Sequence, residues 1–170
     1  MRLLASAALT GAFAAPAFAG QMTVNVEIPR LNVAEYHRPY VAIWVENADQ
    51  TSAGTLAVWY DVAMARAEGT TWLKDMRQWW RREGRALDMP VDGISGATRP
   101  PGRHDAAFAA DHPVLAALPP GEYSLAVEAA REVGGRELIR IPFTWPPAGP
   151  GTFQEAGEHE LGAVSMTIEP

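Results

Sequence analysis

The run Asp92-Gly93-Ile94-Ser95-Gly96-Ala97-Thr98 places a threonine hydroxyl at the end of a series of small residues. A threonine hydroxyl is a weak nucleophile, so a second enzyme must reach it and deprotonate it before it can be esterified. Gly96 and Ala97 present almost no side chain, which lets such an enzyme close over Thr98. Gly96 can also take a positive φ and aim successive N–H groups at a phosphate, while Ser95 adds a hydroxyl donor. Asp92 is suited to bracing the loop by accepting backbone N–H bonds, as aspartate does in turns. A phosphodiester on Thr98 would keep one negative charge, and Arg99 and Arg103 are close enough in sequence to pair with it. Pro100-Pro101 then stiffens the exit. The chemistry such a loop permits is modification of an accessible hydroxyl by another enzyme. The plainer reading is a tight turn leading into a strand around His104 to Phe108, because Gly, Ser, Asp and Pro are ordinary turn residues.

Other constellations are weaker. His37, His104, His112 and His159 are the only histidines, and His104-Asp105 with Asp111-His112 could approach a metal ligand set. Their spacing matches no standard zinc or copper site. No G-x-S-x-G, H-E-x-x-H, P-loop or dinucleotide fingerprint occurs, and the carboxylates are scattered rather than paired for acid–base work. The chain has no cysteine, which removes disulfide, iron–sulfur and thiol chemistry.

At the amino terminus, Met1-Arg2 precedes an apolar run from Leu3 to Phe13, and Ala17-Phe18-Ala19 forms an A-x-A cleavage pattern. This predicts a secretory leader cut after Ala19; the run is too short to span a bilayer. The expected product is one exported domain over residues 20–170, in a bacterial periplasm and without stable membrane insertion. With 14 Lys and Arg against 20 Asp and Glu the net charge is −6, and loss of Arg2 makes it one unit more negative. Such a chain is a poor partner for nucleic acid or anionic membranes.

The elements that must position the loop are mostly strands. Thr23 to Ile28 alternates, with Val24, Val26 and Ile28 on one face. Tyr40 to Glu46 and Thr55 to Tyr60 lie at hairpin distance around a polar turn. Tyr123 to Arg131 and Glu137 to Phe143 flank Gly134-Gly135, which reads as a two-residue hairpin turn, and Gly162 to Ile168 is the last strand. Together they predict an antiparallel immunoglobulin-like β-sandwich, with Tyr123 after Pro119-Pro120-Gly121 in a tyrosine-corner role. Thr144 to Gly157 reads as an irregular crossover. Between strands, Trp72, Leu73, Met76, Trp79 and Trp80 recur at helical spacing, predicting one amphipathic helix of about three turns. Thr70 or Thr71 would cap it, and Gly84 would stop it. Its aromatic stripe reads as core. Lys74, Arg77 and Arg81 form a positive stripe that could meet an anionic partner.

The pattern D-x-x-[ST]-G-A-[ST] arises by chance about once in a thousand chains of this length, judged from average residue usage. The heptad resembles the acceptor site of FMN-carrying subunits of sodium-pumping NADH:quinone oxidoreductase, where a dedicated flavin transferase moves FMN from FAD onto the last threonine. Over nearly all the mature chain, the sequence resembles a proteobacterial periplasmic family, number 2271 among the domains of unknown function. That likeness rests on Pro39 to Glu46, Trp72-Leu73-Lys74-Asp75 with Trp79-Trp80, Ser95 to Gly102, and Gly121-Glu122-Tyr123 through Glu128 to Glu132. It implies a companion of PepSY-type membrane reductases and of the FAD:protein FMN transferase.

The expectation is therefore an extracytosolic electron carrier with FMN covalently held on Thr98, not necessarily an enzyme itself. Trp79 or Trp80 would stack on the flavin if the helix lay beside the loop. Two rivals remain: a cofactor-free immunoglobulin-like binding module gripping a partner through its Trp-rich face or Pro-rich loop, and a metal-binding periplasmic protein.

Overall fold

The computed structural model describes residues 20–170; the predicted leader and its cleavage site lie outside the described residues. Among the described residues nine strands form two sheets: β1 (Gln21–Ile28), β2 (Tyr40–Asn47), β3 (Ser52–Tyr60), β4 (Ser95–Ala97), β5 (Gly102–Ala109), β6 (Gly121–Ala130), β7 (Arg136–Trp145), β8 (Gly151–Ala156) and β9 (Ala163–Glu169). The first sheet has the order β5-β1-β9-β8 and the second β4-β3-β2-β6-β7. The described pairings are antiparallel except β3 with β4, which is parallel. The protein is mainly β.

Alternation explains how the sheets face each other. Met22, Val24, Val26 and Ile28 of β1 and Val164, Met166 and Ile168 of β9 pack against Val41, Ile43 and Val45 of β2 and Leu125 and Val127 of β6. The intervening residues of the five-stranded sheet are buried too. Ala42, Trp44, Val58, Tyr60 and Ala126 meet Leu73, Met76 and Trp79 of a helical cover. A sheet covered on both faces reads as a continuous apolar run rather than an alternation, and β2 is that case.

The helical cover is not the single helix the spacing predicts. A 3-10 segment, Ala65–Asp75, is followed after Met76 by α1 (Arg77–Arg82) and a 3-10 turn, Gly84–Ala86. Met76, at φ −76° and ψ 72°, breaks the run, and neither Thr70 nor Thr71 supplies a side-chain cap. The cap comes from across the fold: the buried Glu128 carboxylate accepts the N–H groups of Gln78 and Trp79 at 2.9–3.1 Å. The predicted core stripe is present in part: Leu73, Met76 and Trp79 are no more than 1 % exposed and Trp80 packs against them, whereas Trp72 is only half-buried and faces a cavity.

Two connections also differ. The β6–β7 link spans five residues, with Val133 at φ 53° and Arg131 N–H donating to the Gly135 carbonyl. Gly134 and Gly135 make room for the Arg131–Glu160 ion pair: a Cβ at either would fall within 2.8 Å of those side chains. The Thr144 to Gly157 stretch contains β8, which pairs with β9 along Gly151↔Ile168 to Ala156↔Ala163. A second short helix, α2 (Pro113–Ala116), precedes β6. Tyr123 hydroxyl donates to the Pro119 carbonyl at 2.8 Å.

Candidate functional site

The heptad forms the edge of the five-stranded sheet. The Ser95 hydroxyl accepts the Val91 N–H at 2.9 Å and the Ser95 N–H returns to the Val91 carbonyl, closing the turn that carries Asp92 and Gly93. Ser95 therefore does the bracing expected of Asp92, whose side chain is exposed. Gly93, not Gly96, takes the positive φ, at 77°. Gly96 lies opposite Trp59 in the β3–β4 pair, and a Cβ there would stand 3.3 Å from the indole Cδ1. Glycine at 96 thus serves close approach to a buried ring. Thr98 continues the pairing, its N–H donating to the Tyr60 carbonyl at 3.1 Å.

Beyond β4 the arginines turn elsewhere. Arg99 lays its guanidinium 5.2 Å from the centre of the Trp59 ring, a cation–π contact. Arg103 reaches Glu27 of β1 at 3.4 Å. Neither lines the cavity onto which Thr98 opens.

That cavity, of about 510 Å³, lies on the helical side of the five-stranded sheet, where β2 begins and β3 and β6 end. Ala97 and Thr98 form part of its wall. Tyr36, Tyr40 and Trp72 supply aromatic surface and Arg38 a guanidinium. Tyr40 meets Tyr60 edge-on at 6.1 Å. Burial raises the Tyr40 phenol above its ordinary value, opposed by a backbone hydrogen bond from Asp61. Burial likewise raises Tyr36, opposed mainly by the charge of Arg131. The Tyr36 hydroxyl is the one buried side-chain polar atom among the described residues with no hydrogen-bond partner. Volumes of roughly 300–1,000 Å³ are normal for small-molecule sites.

Spacing alone did not reach these wall residues, because the segment before β2 and the 3-10 segment meet the heptad only in three dimensions. The available signal was local: Tyr36-His37-Arg38-Pro39-Tyr40 concentrates aromatic and basic groups ahead of a strand. Trp79 does not reach the cavity. It is fully buried, with its indole N–H on Thr55 Oγ1 at 2.8 Å, and Trp80 packs beside it.

The four histidines serve separate local roles. His37 contacts Glu35 at 3.0 Å and Glu132 at 3.5 Å. His104 Nε2 meets the Pro100 carbonyl at 2.7 Å. His112 accepts the Val114 N–H at the start of α2, and burial lowers its affinity for a proton against the charge of Asp111. His159 is exposed. Among the described residues no group of three or more potential ligands is placed to hold a metal ion. No described helix is long and apolar enough to cross a membrane.

Fold and site together define a two-sheet β protein whose helical cover and one sheet edge enclose an aromatic cavity. The model of the family described as predicted periplasmic protein (DUF2271) matches residues 21–163, and the chain belongs to that family. No curated protein and no solved structure matches the chain significantly.

Proposed function

We propose that this chain is an exported electron carrier that holds FMN in phosphoester linkage to Thr98. The leader would be removed after Ala19, and the partners would be an FAD:protein FMN transferase and a PepSY-type membrane reductase. The observation that carries the reading is the position of Thr98: it ends a strip of small residues at a sheet edge and opens onto a cavity of cofactor size. Access from outside is consistent with modification by a second enzyme, since Ala97 is exposed and Thr98 half-buried. Thr98 would lose its hydroxyl proton to the transferase and accept the FMN phosphate from FAD, with AMP leaving. The isoalloxazine supplies the redox chemistry when bound.

The chain's own residues would tether and shield. Ser95 and Gly93 fix the turn, Gly96 keeps β4 against Trp59, and the Tyr60 carbonyl holds the Thr98 backbone. Asp92, on the exposed tip, is available to the transferase. Arg99, held on Trp59, and Arg103, on Glu27, would supply general positive field rather than a phosphate clamp. The immunoglobulin-like assignment of the two sheets belongs to the same proposal, supported by the Tyr123 hydroxyl on the Pro119 carbonyl.

Against the binding-module reading, Trp79 and Trp80 of the Trp-rich stripe are packed on the sheet. The test is export alongside an active flavin transferase. Absorbance near about 450 nm, a flavin property, is expected to persist after denaturation in the wild type and to vanish in Thr98→Ala. A colourless wild-type product would overturn the proposal.

A further inference from the structure

A phosphodiester on Thr98 keeps one negative charge, and the two arginines that follow it in sequence are engaged elsewhere, Arg99 on Trp59 and Arg103 on Glu27. The sheet brings up a third. Across the order β4-β3-β2, Val41 pairs with Trp59 and Trp59 with Gly96. Because β2 runs antiparallel to β3 and β4 parallel to it, the start of β2 and the end of β4 share one end of the sheet. Arg38 lies two residues before β2, and Thr98 directly after β4. Those strands are two spacings apart, roughly 10 Å. A phosphate on the Thr98 oxygen and the long arginine stem close such a gap from opposite sides. Both residues border the same cavity.

Charge singles out Arg38 on that wall. Arg131, the other arginine there, is held by Glu160 at 2.9 Å, with both side chains nearly sealed from solvent. His37 lies between Glu35 and Glu132. Asp61, Asp75 and Glu132 also line the cavity. The exposed Arg38 side chain has neither a hydrogen bond nor an ion pair among the described residues. It is therefore the free cation that an anion meets there, and without it the carboxylates would repel that anion. A guanidinium also presents a planar fork of donors that matches two phosphate oxygens at once.

We infer that Arg38 is the phosphate-binding residue of the site, pairing with the phosphodiester that joins Thr98 to its nucleotide. This rests on the flavin reading above, and it moves to Arg38 the role that sequence order gives to Arg99 and Arg103.

The experiment uses the full chain exported with the transferase. Intact mass is taken first on every sample, and the phosphorus NMR resonance of the attached phosphodiester is then read. Wild type, Arg38→Gln, Arg38→Lys and Arg99→Gln are compared. In the wild type the resonance should stand apart from its position in the same protein unfolded by urea. Arg38→Gln should move it to the unfolded position, Arg38→Lys should keep part of the displacement, and Arg99→Gln should leave it near the wild-type value. A wild-type resonance already at the unfolded position, one unmoved by Arg38→Gln, or an equal shift in Arg99→Gln would overturn this inference while leaving attachment at Thr98 intact. Should Arg38→Gln fold yet emerge without FMN, Arg38→Lys decides: a loaded Lys variant supports the pairing, and an empty one overturns it. Absence of FMN mass on the wild type would overturn both this inference and the flavin reading.

Discussion

Glu128 and Glu46 are fully buried carboxylates on the helical face of the five-stranded sheet, and both are paired. Glu128 accepts the first N–H groups of α1 and the Arg136 guanidinium at 2.8 Å. Glu46 takes Arg82, Arg140 and the Trp44 indole N–H. Removing the Glu128 carboxylate leaves the Gln78 and Trp79 N–H groups without their acceptor, each buried unpaired group costing about 1–3 kcal/mol. Glu128→Ala thus removes the cap of α1. It is expected to lower the unfolding free energy by about 3 kcal/mol, read by chemical denaturation; a change within the few tenths typical of surface positions would contradict this account. In the heptad, sequence identified the residue types but not their division of labour. Thr98 ends the strip as expected, whereas the hydroxyl of Ser95 replaces Asp92 as the brace and Gly93 replaces Gly96 at the positive φ. Turn-forming residues within four positions of one another offer several equivalent closures, and contact with β3 selects among them.

At the scale of elements, the strands were legible because their alternation or continuous apolar runs follow directly from burial on one face or two. The helix was legible as a buried aromatic stripe but not as a broken one. Periodicity cannot register that Glu128, fifty positions downstream of Gln78, restarts the helix at its N–H groups. Edge strands β4 and β8 were hidden for a related reason. β4 is three residues long, β8 is almost wholly exposed, and neither has an apolar face to announce it. Gly84 closes the helical cover with no room for a side chain: a Cβ there would lie 2.6–2.8 Å from the Trp79 ring. Because Trp79 is itself fixed by Thr55, Gly84→Ala is expected to destabilise by about 2 kcal/mol. Unchanged stability would show that Trp79 is less tightly held than this geometry requires.

The whole molecule is an acidic two-sheet protein in which strand carboxylates hold loops in place. The clearest is Glu137 of β7. Burial alone would raise its pKa, but the N–H groups of Glu158, His159, Glu160 and Leu161 all donate to it and bring it below the ordinary 4.5. A carboxyl whose folded pKa is depressed favours the fold fully above its unfolded value, and that contribution is lost as pH falls through the folded one. Denaturant midpoints measured at about pH 7 and about pH 3.5 should therefore fall more steeply for the wild type than for Glu137→Gln. Equal slopes would mean that the loop does not depend on that charge.

On the same scale stands the central claim, that this exported domain exists to carry a flavin at the edge of its larger sheet. The most direct measurement is the intact mass of the protein recovered after export beside an active FAD:protein FMN transferase. The account predicts an added mass of one FMN on the wild type and on Thr144→Ala, and none on Thr98→Ala. An unmodified wild type under those conditions, or FMN still attached when Thr98 is alanine, would contradict it.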